Sequence, residues 1–171
     1  PITGPDRSVS FTVTTDADQT PVAPGTTIGD STVDGRRTVR FRTDAPIIPF
    51  FSVQSARYAV QRDRWNDVDL AVYYHPAHAY NFERMLSAMK ASLGIFSERF
   101  SPFQFRQARI LEFPGYANFA QSFANTIPYS ETIGFVFNHA ASPEKIDMVT
   151  YVTAHEIAHQ WWAHPVVPSD Q

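Results

Sequence analysis

Residues 153–162 read Thr-Ala-His-Glu-Ile-Ala-His-Gln-Trp-Trp, a segment that predicts a helix with two histidines four positions apart. Residues at this spacing lie one above the other on the same helix face, so the imidazoles of His155 and His159 can bind one metal ion. Glu156 lies one step round the helix, where its carboxylate can reach a water without being a metal ligand. Two histidine ligands and one general base are typical of the His-Glu-x-x-His zinc hydrolases. The alternative is a solvated helix that carries these three residues by coincidence.

The residues before this segment predict where its helix begins. Residues 142–144 read Ser-Pro-Glu, which combines a capping serine, a proline at the first helical position and an acid in the first turn. We therefore expect a helix from Pro143 to about Ala163. The apolar residues expected to be buried on this helix are Ile146, Val149 and Val152.

An earlier amphipathic helix is predicted from Asn81 to Phe100. Asn81 is a candidate cap, Glu83 is favourable in the first turn, and Pro102 follows the end. The apolar residues recur at intervals of one, three and four, and a stripe of Met and Phe is more typical of a packed core than of a ligand pocket. These apolar residues are Phe82, Met85, Leu86, Met89, Leu93, Phe96 and Phe100.

Alternating apolar and polar residues predict β-strands in the first part of the chain. Asp34-Gly35 predicts a turn, and residues 16–28, rich in Asp, Thr, Pro and Gly, predict a loop. Further along, residues 105–113 and 133–137 predict two strands, and residues 115–125 predict a loop that crosses a cleft. The alternating apolar positions are Val9, Phe11 and Val13, then residues 38–42, then Tyr58 and Val60, and then Val68, Leu70, Val72 and Tyr74.

The order of these elements predicts an α+β protein. Residues 1–75 are expected to form an incomplete, strand-rich domain, the end of an antiparallel β-sandwich with a structural role. The pattern changes at His75-Pro76, and residues 76–171 are expected to form the first part of a catalytic domain that is truncated at its C-terminal end. Because the chain begins at Pro1 and ends soon after its metal-binding helix, we expect it to be a fragment of a longer protein.

Composition excludes several classes of function. The 171 residues carry a net charge of −3, which provides no basic surface for nucleic acid. There is no cysteine, so neither a disulfide nor a cysteine metal ligand is available. No apolar run approaches the roughly 18 residues that cross a membrane, and the first residues do not resemble a signal peptide. His75 and His78 flank a proline in a predicted loop and are expected to be solvated rather than to form a second metal site.

The residues after the motif separate classes of zinc hydrolase. A metzincin would carry glycine at position 162 and a third histidine at position 165, where this chain has Trp162 and Pro165. In the gluzincin class the third ligand is a glutamate on a following helix. The twelve residues after His159 contain no glutamate. A third protein ligand is therefore expected beyond Gln171.

Residues 152–162 resemble the catalytic helix of the aminopeptidase N-like zinc metallopeptidases, in which Gln-Trp directly follows the second histidine. This resemblance implies a thermolysin-like catalytic domain beginning near His75. It also implies one catalytic Zn²⁺ and an oxyanion-stabilising tyrosine, which would lie beyond Gln171. Residues 125–131 resemble the branch whose peptidase domain is joined to transporter-type permeases, which implies a membrane tether in the parent protein.

One departure from this family concerns the substrate's amino group. Family aminopeptidases carry Gly-x-Met-Glu-Asn on the strand at the cleft edge, and its glutamate binds that group. No such string occurs here. Glu131 either supplies a substrate-binding carboxylate near that place or is an ordinary carboxylate at a strand end. Alternatively the equivalent position is Ser122, which provides no carboxylate.

These inferences together predict zinc-dependent hydrolysis of peptide bonds, aminopeptidase-like, in the full-length parent. The 171-residue fragment itself is expected to be inactive and to bind zinc poorly. The alternatives are a zinc endopeptidase, and a non-catalytic peptide-binding or scaffold domain of a transporter-linked protein. The expected partner is a peptide substrate.

Overall fold

The computed structural model describes residues 8–141 and 146–162. Within these ranges the chain combines two α-helices with nine strands in three sheets, which confirms the α+β class. None of the described helices is long and apolar enough to span a membrane. The α-helices are α1 (Phe82–Arg99) and α2 (Met148–Ala158). The strands are β1 (Ser10–Asp16), β2 (Thr20–Val22), β3 (Thr26–Val33), β4 (Arg36–Arg42), β5 (Gln54–Ala56), β6 (Ala59–Trp65), β7 (Val68–Tyr74), β8 (Gln107–Phe113) and β9 (Thr126–Ser130).

The first five strands form two small antiparallel sheets, ordered β1-β4-β3 and β2-β5. The β3–β4 hairpin turns through Asp34 and Gly35, whose φ angles of 50° and 73° lie in the left-handed region that these two residue types tolerate. The loop predicted at residues 16–28 is wrong in part, because β2 and the start of β3 lie within it. β2 is held by pairing with the distant β5, and such a contact leaves no local sequence pattern.

The larger sheet has the order β6-β7-β8-β9. β6 is antiparallel to β7, whereas β7, β8 and β9 are parallel to one another. Parallel neighbours need a crossover connection, which α1 provides between β7 and β8. The carboxyl ends of β7, β8 and β9 therefore lie at one edge of the sheet. The sheet takes strands from both sides of residue 75. The domain boundary expected there remains a prediction.

The two faces of this sheet pack against different parts of the chain. On β7, Leu70 and Val72 belong to the large core beneath the helices, whereas Ala71 and Tyr73 pack in a smaller cluster with Val22 of β2. This alternation is the period of a strand that is buried on both faces. Burying each such apolar side chain contributes about 1.5–3 kcal/mol, so the large core fixes both helices on the sheet. Its helical members include Met85, Leu86, Met89, Leu93, Val149 and Ile157.

α1 agrees with the predicted helix, but its cap does not act as expected. Asn81 occupies the cap position without a side-chain capping hydrogen bond. Its Nδ2 instead donates to the carbonyl oxygens of Gly134 at 2.7 Å and Phe137 at 2.8 Å. The segment held in this way, Glu131–Phe135, is a short π-helix, so the strand predicted at residues 133–137 is wrong. A short apolar run does not by itself distinguish a strand from a buried helical turn.

Candidate functional site

The helix that carries the two histidines is shorter in the described residues than the sequence predicts. α2 covers Met148–Ala158, with His159 as the residue that caps its C-terminal end, and the predicted start at 142–144 lies outside the described ranges. Val149 is buried as expected and Val152 packs against the core. Ile146, which was expected to be buried, precedes the helix and is 71% exposed.

Asp147 caps the start of α2. Its carboxylate accepts hydrogen bonds from the backbone N–H of Thr150 at 3.0 Å and from the hydroxyl of the same residue at 2.8 Å, and it also pairs with Arg84 of α1. Burial raises the pKa of Asp147, but the Thr150 hydrogen bonds and the Arg84 charge outweigh it and leave the pKa below its usual value. Asp147 therefore fixes the start of α2 and links it to α1.

The two histidine side chains of α2 converge. Their Nε2 atoms, on His155 and His159, are 3.2 Å apart, and the ring planes are nearly perpendicular at 89°. Two nitrogens bound to one tetrahedral zinc ion at about 2.0–2.1 Å would lie roughly 3.3 Å apart. Tyr151, one turn earlier, stacks on His155 with ring centroids 6.4 Å apart. The two nitrogens thus have the spacing that two ligands of one ion would have, and His155 is exposed to solvent.

Glu156 is buried, unlike the histidines on either side of it. It is 5% exposed, and its Oε2 has no hydrogen-bond partner among the described residues. Burial raises the pKa of Glu156, although His155, His159 and a hydrogen bond from the Ser122 backbone N–H act in the opposite direction. A buried carboxylate with a raised pKa and an unused oxygen is suited to accept a proton.

Gln160 ties the end of α2 to the loop between β8 and β9. It is 2% exposed, and its Oε1 accepts a hydrogen bond from the backbone N–H of Asn125 at 2.8 Å. Its Nε2 donates to the carbonyl of Phe123 at 2.9 Å and to the Ser122 hydroxyl. Since Ser122 also contacts Glu156, the loop forms one wall of the site and Gln160 holds that wall in place.

The two tryptophans that follow Gln160 anchor the end of the helix. Trp161 is 6% exposed, and its Nε1 donates to the carbonyl of Ser101 at 2.8 Å. Its ring contacts Phe96 and Phe103, and the ring of Trp162 also contacts Phe96. These contacts fix the end of α2 against the end of α1.

Glu131 interacts with a different set of residues. Its Oε1 accepts a hydrogen bond from the Gly115 N–H at 2.7 Å, and its Oε2 lies 3.8 Å from His78 Nδ1. The loop between β8 and β9 bonds to β9 both at Pro128, through the Gln121 N–H, and at Ser130, through the Phe119 carbonyl. Glu131 therefore lies beside the first part of this loop, whereas Ser122 and Phe123 in its later part contact Gln160. Among the described residues, the Glu131 carboxylate forms no hydrogen bond or ion pair with α2.

The donor set of α2 fits a zinc ion but is incomplete within the described residues. Imidazole nitrogen is a common zinc ligand, and catalytic zinc sites use three protein ligands and one open position. The buried Oε2 of Glu156 is the kind of unsatisfied group that a water or substrate at such a site would contact.

The contacts of two residues could not be predicted from the sequence. Gln160 was noted for its family resemblance, but its hydrogen bonds reach residues 35 to 38 positions away, which no local pattern reveals. Glu112 of β8 was not singled out, yet its carboxylate contacts His78, 34 residues away. His78 is therefore not simply solvated, as it was expected to be.

No family model matches the chain, and no curated protein matches it. The geometry of α2 and its neighbours therefore carries the functional conclusion.

Proposed function

We propose that this chain carries the zinc-binding helix of a metallopeptidase that hydrolyses peptide bonds. The proposed architecture is that of the aminopeptidase N-like family, the end of a β-sandwich followed by part of a thermolysin-like catalytic domain. One observation carries the proposal: His155 and His159 bring their Nε2 atoms within 3.2 Å, with the buried carboxylate of Glu156 beside them. The α+β class gives little support to this function, because α+β folds host many different activities.

Each residue of this site has a proposed role. His155 and His159 would hold the ion through Nε2, together with a third ligand from outside the described residues. The chemistry that zinc supplies is Lewis-acid activation of water and of the scissile carbonyl. Glu156 accepts the proton of the attacking water and passes it to the leaving amine. Burial suits Glu156 to this role, since it raises the pKa and so stabilises the protonated form between the two transfers. Gln160 positions the loop that contacts Glu156.

A zinc endopeptidase is the second candidate, and one observation favours it. An aminopeptidase needs a carboxylate to bind the substrate's ammonium group, whereas the residue beside Glu156 is the uncharged Ser122. In the aminopeptidase version Glu131 is the proposed carboxylate. Its contacts are with Gly115, at the start of the loop between β8 and β9, and with His78, whereas Ser122 further along that loop contacts Glu156.

The test is peptide hydrolysis by an extended chain that continues past Gln171 by about 40 residues, so that a third ligand can be supplied. Matched peptides with free and with acetylated amino termini are offered as substrates. We expect hydrolysis that a chelator abolishes, that zinc restores, and that His159→Ala removes. His139→Ala, a histidine substitution outside the site, is the matched control and should leave hydrolysis unchanged.

The substrate preference separates the candidates. Cleavage of free amino termini alone indicates an aminopeptidase, and cleavage of both peptides indicates an endopeptidase. Peptide binding without zinc-dependent cleavage would contradict the proposal and indicate a binding or scaffold domain.

A further inference from the structure

A second group of metal-binding side chains lies at the carboxyl edge of the parallel strands. His78 follows β7, Glu112 is near the end of β8, and Glu131 directly follows β9. One ligand atom from each residue falls within 4.8 Å of the others. Parallel topology explains this meeting, because loops that follow parallel strands emerge at the same sheet edge, where ligands of open α/β sheets bind.

Backbone groups hold both carboxylates so that one oxygen of each is turned towards His78. The Glu112 Oε2 accepts a hydrogen bond from the His75 N–H at 2.6 Å, and its Oε1 contacts His78 Nδ1. The Glu131 Oε1 accepts the Gly115 N–H at 2.7 Å, while its Oε2 lies 3.8 Å from the same Nδ1. Hydrogen bonds of this kind orient the ligands of metal sites.

Gly115 allows this approach. A Cβ at position 115 would lie 2.9 Å from the Oε1 of Glu131 and 2.8 Å from Thr132 Cγ2, so these side chains would have to shift. The glycine therefore lets a backbone N–H reach the carboxylate.

The charges of this cluster are unbalanced. The Glu112 side chain is only 4% exposed, and His78 is the sole partner that either glutamate has in an ion pair among the described residues. Arg57 lines a cavity next to the two glutamates, but its guanidinium pairs with Asp18 and not with either glutamate. Two carboxylates with one imidazole between them leave a net negative site, in which a divalent cation would be stabilised.

The cluster is accessible. Glu112 and Glu131 line a cavity of about 470 Å³ that is also bounded by Tyr58, His75 and Pro76.

We propose that His78, Glu112 and Glu131 bind a divalent transition-metal ion, zinc or manganese, at a site separate from His155 and His159. One imidazole nitrogen and two carboxylate oxygens suit these ions, and water would complete the coordination. Binding replaces the direct contact between His78 and Glu112 with two metal bonds. The site does not depend on peptide hydrolysis, but Glu131 bound to a metal would not be free to bind the substrate's amino group as in the aminopeptidase version.

The test is calorimetric titration of Zn²⁺, and separately of Mn²⁺, into the 171-residue chain carrying His155→Ala and His159→Ala. This background should still bind one ion. Adding Glu131→Gln, which can keep an oxygen for the Gly115 N–H, should weaken binding by about tenfold or more, and His78→Ala should do the same. Glu98→Gln, at an exposed position of α1, is the matched control and should leave the affinity unchanged.

A measurement on the otherwise unaltered chain covers the case in which the double variant fails to fold. Co²⁺ absorption counts the sites, and Glu131→Gln should remove one binding equivalent. No binding in the folded double variant, or equal affinity with Glu131→Gln and Glu98→Gln, would overturn the proposal and leave an imidazole held between two carboxylates without metal.

Discussion

Gln160 illustrates how much a single buried amide can fix near the site. Its oxygen and nitrogen satisfy the N–H of Asn125, the carbonyl of Phe123 and the hydroxyl of Ser122. A shorter or apolar side chain would remove these three hydrogen bonds from the protein interior, where a group left unsatisfied costs about 1–3 kcal/mol.

We expect Gln160→Ala to lower the free energy of unfolding by about 2–3 kcal/mol, measured by urea denaturation. Gln61→Ala on the exposed face of β6 removes the same kind of side chain and should change stability by less than about 0.5 kcal/mol. Equal effects of the two substitutions would show that Gln160 does not hold the loop.

At the scale of elements, α2 depends on its cap. Asp147→Ala removes the hydrogen bonds to Thr150 and the pair with Arg84, and should cost about 1 kcal/mol near neutral pH. The pKa of Asp147 in the folded protein is below the unfolded value of 3.8, so its stabilisation is present above that pH and is lost as pH falls through the folded pKa. Denaturation of both proteins at a series of pH values should show the difference shrinking below 3.8.

Asp147→Asn provides the matched control for this effect. Asparagine is also a good cap, so this variant should keep most of the stability while losing the pH-dependent part. A wild-type protein no more stable than Asp147→Ala at neutral pH would contradict the capping role.

The π-helix Glu131–Phe135 is packed too tightly for a side chain at Gly134. An added Cβ would lie 2.8 Å from Met85 Cε and 2.9 Å from the ring of the buried Tyr129. Gly134→Ala should therefore destabilise the protein by about 1–3 kcal/mol. Gly94→Ala, inside α1 with only Trp65 Nε1 at 3.9 Å, should instead stabilise it by about 0.5–1 kcal/mol. Thermal unfolding compares the two, and the same sign for both would refute this account of the packing.

At the scale of the whole molecule, one buried arginine joins the N-terminal strands to the loop held by Gln160. The Arg109 guanidinium donates to the carbonyl of Ala23 at 2.9 Å and to Asn125 Oδ1. Burial lowers the pKa of Arg109 to about 10, which leaves it charged at neutral pH. The wall of the site is thus connected to the first part of the chain through Arg109.

Features that depend on residues close together in the sequence could be predicted, and features that depend on contacts between distant residues could not. The positions of α1 and β7 depend on periodicity within each segment, and the pairing of His155 with His159 depends on a spacing of four, so local patterns suffice for them. The parallel order of β7, β8 and β9, the π-helix and the meeting of His78 with Glu112 depend on contacts between distant residues. One sequence without these contacts could not reveal them.

The assignment of Glu156 as the catalytic base is tested by Glu156→Gln in the extended chain, with zinc content and peptide turnover measured on the same sample. Glutamine keeps the size of the side chain but cannot accept the proton. We predict that zinc content is unchanged, because Glu156 is not a ligand, and that turnover falls by roughly two to four orders of magnitude. Near-normal turnover with zinc bound would contradict the assignment.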